Sequence, residues 1–119
     1  MLRGVRGAIQ VSANERSAIL RAAEELMLAL IENNRISQEN VSAVFFTVTK
    51  DLDACFPASV RAQIGWDLVP FLCGQEIPVP GLLDRLLRVL ILFDTELSPA
   101  EVKHQYLGAA AALRPDLQR

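Results

Sequence analysis

The sequence predicts one domain in which strands alternate with helices, of the α/β or α+β class. Its 119 residues, 51% of them hydrophobic, suffice for one modest core and not for two. Apolar residues recur at helical spacing from Ile19 to Ile31, while shorter runs rich in β-branched and aromatic residues read as strands. No internal repeat or low-complexity tract interrupts the chain, so residues 1–119 are expected to form a single domain, with about 115–119 as its tail.

The first strand lies in residues 3–11, RGVRGAIQV, with Val5, Ile9 and Val11 on one face and Arg6, Ala8 and Gln10 on the other. Gly4 and Gly7 flank Arg6, and their missing side chains let another group approach the backbone closely. Ser12 followed by Glu15 reads as a capping box, and Ile19, Ala22, Ala23, Leu26, Met27, Leu30 and Ile31 carry one long amphipathic helix to a stop at Asn33 and Asn34. Residues 43–49, AVFFTVT, read as a buried strand that ends in a polar loop at 50–53. Pro57 opens a short helix that Gly65 closes, and residues 68–72 follow as a strand. Residues 78–81, PVPG, can extend neither a helix nor a central strand and make a rigid surface connection.

Residues 82–95, LLDRLLRVLILFDT, fit two states. They make either a helix with Asp84, Arg85 and Arg88 on one arc or a buried strand over 89–93, and periodicity does not separate the two. Ser98, Pro99 and Glu101 stand at the N-cap, N1 and N3 positions of a further helix, which puts His104 in its last turn beside the terminal carbonyls. The Ala-rich stretch up to Leu113 fits more than one state. Only one long helix is available to cover four or five strands, so a second subunit is expected over one sheet face.

Composition excludes several classes of function. A net charge of -2 without a dense Lys/Arg run gives no footprint for nucleic acid or an anionic membrane. No run of about 18 apolar residues is present, and no apolar signal core follows Arg3 and Arg6, so a soluble cytoplasmic protein is expected. Cys55 and Cys73 are expected as free thiols and lack zinc-ligand spacing. With one histidine, no phosphate-cradling glycine loop, no HExxH and no CxxC, neither a metal nor a cofactor is expected. Arginine supplies 10 of the 12 basic residues, a bias suited to bidentate recognition of carboxylates.

Arg88 is the main anomaly. In a strand it interrupts an apolar run, and a buried guanidinium without a partner is strongly unfavourable. It needs an anion, either an acid of the chain such as Glu76 or Asp84 or a ligand. Arg6 raises the same question on the first strand. Cys73 and Glu76 follow the strand at 68–72, a place where binding groups are often positioned. Tyr106 offers a phenolic donor or fills the core as a half-buried tyrosine.

RGVRGAIQV at 3–11, FTVT at 46–49, DLDACFPA at 51–58, GWDLVP at 65–70, CGQEIPVPG at 73–81, RVLILFDT at 88–95 and HQYLGAAAALRPDL at 104–117 together resemble the small trimeric class of chorismate mutase, in order and nearly in spacing. The resemblance implies an α+β fold, a mixed β-sheet with one long helix and short helices, that assembles as a trimeric pseudo-α/β barrel with active sites between subunits. It also implies a strand around Arg88. The implied activity is the rearrangement of chorismate to prephenate in phenylalanine and tyrosine biosynthesis, without cofactor or metal.

By the same resemblance Arg88 meets the ether oxygen of chorismate, Arg6 and Tyr106 hold its side-chain carboxylate, and Glu76 and Cys73 meet its ring hydroxyl. Phe56 and Leu113 wall the substrate, and Arg114 stands at the mouth. Ser59 and Arg61 align with further substrate contacts. Family members often carry a charged residue in place of Ser59, and their arginine falls one position later than Arg61. Leu72 also takes a position that can be polar, so the resemblance implies less for these three. Two other readings draw on the same residues: a non-catalytic trimer that binds a small carboxylate metabolite, and an enamine/imine deaminase of similar assembly. The set Glu76, Arg88 and Tyr106 favours the mutase.

Overall fold

A computed structural model describes residues 1–114; the tail expected at 115–119 lies outside the described residues. The strands are β1 (Leu2–Gln10), β2 (Val41–Val48), β3 (Phe71–Gln75), β4 (Leu86–Asp94) and β5 (Gln105–Tyr106), and the helices are α1 (Arg16–Asn34) and the single turn α2 (Arg61–Ile64). They form one sheet in the order β3-β2-β4-β1-β5. β4 runs antiparallel to β1 and β2, whereas the outer strands β3 and β5 run parallel to their neighbours, so the sheet is mixed. This is the α+β architecture expected, and within residues 82–95 the stretch Leu86–Asp94 forms strand β4.

Parity along each strand sorts the side chains between two faces. Val5 and Ile9 of β1, Val44 and Phe46 of β2, and Leu87, Val89, Ile91 and Phe93 of β4 turn to α1. The helix answers with Ala18, Ile19, Ala22, Ala23, Leu26, Met27 and Leu30, all buried. Each large side chain sealed there contributes about 1.5–3 kcal/mol, which makes this interface the main source of stability. Gly7 lets the layers close. A Cβ at that position would collide with the Gln105 carbonyl oxygen and with the Leu26 side chain.

Three elements differ from the sequence expectation. The Ser12 capping box does not form: α1 starts at Arg16 with Glu15 at its cap and no side-chain cap bond. Asn14 explains why, because its Oδ1 accepts the backbone N–H groups of Asp53 and Ala54, both at 3.0 Å, and this tie keeps the preceding segment out of the helix. The strand expected at 68–72 begins at Phe71 instead. Pro70 has no N–H to donate, and residues 66–69 are occupied by a turn whose Trp66 and Val69 plug the core while Leu68 stays 91% exposed.

The helix expected after Ser98 is one turn only. Glu101 Oε1 does accept the Ser98 N–H at 2.9 Å, as a capping glutamate should. Propagation stops because the Lys103 N–H donates to Asn34 Oδ1 at 2.7 Å instead of to the preceding turn. His104 therefore sits beside β1 and not at a helix end. The Ala-rich stretch resolves as a 3₁₀ helix, Gly108–Ala112.

Candidate active site

The face of the sheet turned away from α1 carries the unusual side chains. Arg88 pairs across the ladder with Thr47 on one side and Ala8 on the other, and Ala8 pairs with Tyr106. Thr47, Arg88, Ala8 and Tyr106 thus form a row across four strands. At a strand spacing of about 4.8 Å the backbones bearing Arg88 and Tyr106 are roughly 10 Å apart. Of the sheet's side chains only the methyl group of Ala8 lies between them, and it is buried in a cluster with Leu86, Tyr106 and Ala110 on which Leu113 packs. Arg6 stands two residues from Ala8 on the same face and is exposed.

Glu76 closes the row at the β3 end. Its backbone N–H donates to the Val48 carbonyl at 2.8 Å, which fixes the first residue beyond β3. Glu76 Oε2 accepts the Thr47 hydroxyl at 2.7 Å and lies 3.5 Å from Arg88 Nε. The Arg88–Glu76 contact is Coulombic without being a formed hydrogen bond, since the buried Nε–H has no hydrogen-bond partner among the described residues. With the two side chains 35% and 18% exposed, solvent screens the pair only in part. The acid keeps the guanidinium in place, and the side chain, 35% exposed although its Nε is buried, still presents part of itself to this face. Asp84, the other acid considered for Arg88, pairs with Arg85 at 3.2 Å instead.

Cys73 lies within β3 and not beyond it, and its side chain falls on the α1 side together with Phe71. Burial raises its thiol above the usual range, although an Ala58 backbone hydrogen bond to the sulfur works the other way. The backbone of Cys73 is placed differently. Because the Val44 N–H donates to Pro70 and the Glu76 N–H to Val48, even-numbered residues of this segment point their peptide groups at β2. The N–H of Cys73 therefore points outward from the sheet edge, where it can meet a ligand that the thiol does not face.

The remaining expected residues divide into two groups. Leu113 packs on Ala8, Leu86, Tyr106 and Ala110 and so belongs with the Arg88 face; half-buried Arg114 is the next residue. Phe56 is 74% exposed in the loop before α2, with half-buried Ser59 and exposed Arg61 just beyond. A cleft of about 510 Å³ joins Phe56 to Cys73 but is lined by none of Arg6, Arg88 and Tyr106. Within one chain the structure does not bring the two groups together. Both cysteines are free thiols. Among the described residues no three His, Cys, Asp or Glu cluster to hold a metal ion, and no helix is long and apolar enough to cross a membrane.

The sequence model of the family described as chorismate mutase type I matches residues 2–117. The chain belongs to the type I chorismate mutase family. A chorismate mutase AroH of Thermus thermophilus is 49% identical over 119 residues, covering 99% of this chain and 98% of that protein. One from Bacillus subtilis (strain 168) is 38% identical and covers 98% and 93% respectively. A solved chorismate mutase structure from Clostridium thermocellum superimposes with a TM-score of 0.90 at 35% identity, covering 92% of this chain and 98% of that one. Membership in the chorismate mutase family assigns the chain an isomerase activity, and nothing in these likenesses favours the deaminase or the non-catalytic binder.

One residue of this face was missed in the sequence and another, read at a helix end, was misplaced. Thr47 interrupts an otherwise apolar run at the parity of the exposed face, which is the signal that would have found it. His104 is adjacent to the Gln105-Tyr106 block, but its bond to β1 could not be read without the register.

Proposed function

We propose that the rearrangement of chorismate to prephenate takes place on this face of the sheet, beside Arg88 and Glu76, in a cleft that a second copy of the chain closes within a homotrimer. The observation that carries this reading is Arg88, fixed beside Glu76 on a strand whose other face is sealed, with its side chain still part-exposed. As the C–O bond of chorismate breaks, its ether oxygen gains partial negative charge, and a preorganised guanidinium in a dry cleft stabilises that charge as it forms. Arg6 and Tyr106 hold a carboxylate of the substrate, which fixes the compact conformer the reaction needs. Glu76 accepts from the ring hydroxyl, and the outward Cys73 N–H donates to it. Leu113 and Arg114 bound the site from the C-terminal side.

Support for the shared cleft is the division of the site residues. Phe56, Ser59 and Arg61 stand apart from the Arg88 row, and exposed Phe56 is suited to reach a neighbouring copy. Phe45, Leu72 and Leu90 are 37%, 64% and 37% exposed on the Arg88 face, an apolar surface that oligomerisation would cover. The single domain of residues 1–119 is the repeating unit in this reading. Two free thiols suit a cytoplasmic location.

Following the loss of chorismate absorbance with the purified chain, in buffer containing EDTA, tests the reaction. Sedimentation equilibrium tests the assembly. A fully active, stable monomer at micromolar concentration would sink the shared cleft.

A further inference from the structure

The pairing of β5 with β1 is short, and its end is made by side chains. The Leu107 N–H donates to the Ala8 carbonyl at 2.9 Å, in a register that pairs Gly7 with Gln105 and Ala8 with Tyr106. Continued as a regular parallel ladder, this register would give the Arg6 N–H the carbonyl of Lys103 as its acceptor. That carbonyl is engaged elsewhere, by Asn34 Nδ2 at 3.0 Å and Gln105 Nε2 at 3.3 Å. Asn34, 1% exposed near the end of α1, also accepts the Lys103 N–H and donates to the Leu30 carbonyl at 2.9 Å. One buried amide thus holds the Lys103 peptide against the helix by both its polar groups.

The Arg6 N–H donates instead to His104 Nδ1, at 3.1 Å. An imidazole accepts at Nδ1 only when neutral with its proton on Nε2. This bond acts on the one side of Arg6 that lacks a ladder. Val5 and Gly7 hold the strand to β4, while the Arg6 N–H points to the other side, just beyond the two residues that β5 pairs.

We infer that His104 is a positioning residue for chorismate binding: its Nδ1 fixes the backbone of Arg6, and through it the guanidinium that holds a substrate carboxylate. The inference rests on the substrate role proposed for Arg6. A carboxylate is charged in the ground state and in the transition state alike, so loosening its partner weakens both complexes together. The effect belongs in KM more than in kcat.

Steady-state kinetics on Arg6→Ala, His104→Ala, His104→Asn and the Arg6→Ala/His104→Ala pair test this, with folding checked by circular dichroism. His104→Ala is expected to raise KM roughly five- to tenfold, the effect of one hydrogen bond, with kcat nearly unchanged. His104→Asn should restore KM, since its carboxamide oxygen can sit where Nδ1 sits. Adding His104→Ala to Arg6→Ala should raise KM no further, because the histidine acts through the arginine. If His104→Ala does not fold, His104→Gln takes its place; its carboxamide lies one carbon further out and is expected to raise KM where Asn does not. A normal KM for Arg6→Ala would remove the role of Arg6 and the inference with it. A raised KM for Arg6→Ala together with a normal KM for folded His104→Ala or His104→Gln overturns the inference alone, as does full additivity in the double variant.

Discussion

Along β4, Leu87, Val89, Ile91 and Phe93 meet α1 and are sealed from solvent, whereas Leu86, Arg88, Leu90 and Leu92 turn to the opposite side, where Leu90 stays 37% exposed and Arg88 stands beside Glu76. One strand therefore serves both faces, with odd residues anchoring the fold and even residues presenting a guanidinium. The helix-facing side is complete within one chain, while the other side is finished only in part by Ala110 and Leu113. The contrast shows how a rigid site is obtained here. Arg88 does not depend on a loop for its position, because its neighbours in the sequence are locked into the core on both sides of it.

If the two faces are separable, damage to one should leave the other intact. The largest effect is expected from Arg88→Ala. It should lose at least the ~10²–10³-fold in kcat typical of removing one transition-state donor, with normal circular dichroism and assembly. Arg88→Lys should recover only part of this, because it restores the charge without the planar fork. A folded Arg88→Ala protein with near-normal kcat would make the residue a structural partner of Glu76 and end the proposed mechanism. The counterpart on the sealed face is Leu26→Ala, which should cost about 2–5 kcal/mol of stability in a denaturant melt while the surviving folded enzyme turns over normally.

Smaller effects sharpen the contrast. Thr47→Val keeps the shape of the side chain and removes the hydroxyl that Glu76 accepts, so kcat/KM should fall by about 1 kcal/mol in activation terms with little change in melting temperature. The smallest effect is expected from Cys73→Ala, since the thiol faces α1 and only the backbone N–H reaches the site. Its loss in kcat/KM should stay well under the tenfold that about 1.4 kcal/mol would cause. Because burial raises the thiol above its usual range, Cys73 should also react slowly with iodoacetamide at neutral pH and faster as pH rises. Rapid labelling at neutral pH with concurrent loss of activity would contradict the placement of the sulfur.

The elements legible in the sequence were those with one buried face. α1 has a clear period because its other side meets solvent, and the alternation of β1 separates Val5 and Ile9 from Arg6 for the same reason. β4 hid its nature because it is apolar on both faces. Leu86, Leu90 and Leu92 are as hydrophobic as the core residues between them, so no period distinguishes strand from helix until the chain is folded. The turn after Ser98 failed differently. Its local capping signals are real and form one turn, but Asn34, distant in sequence, takes the amide that would have extended it. That Arg88 needs an anion was recognisable from charge alone, with Glu76 and Asp84 both open as its partner, whereas Thr47 and His104 act through register, which no local pattern encodes.

The pairing of β1 with β4 and β5 also bears on how the molecule is made. β1 is the first of the five strands to leave the ribosome, yet every strand it pairs with comes from the last third of the chain. Until β4 emerges, Val5 and Ile9 can be covered by α1 alone, and both edges of β1 stay open to any passing strand. β2 and β3 are closer in sequence and can pair early, but they lack the strand between them and β1. Folding must wait for closure over nearly the whole chain, the kind of non-local contact that slows it into the regime where exposed edges aggregate. A sheet whose centre pairs its first strand with its fourth thus trades speed of formation for cooperativity: the strand that carries Arg88 is the one that joins β1 to the β2–β3 pair.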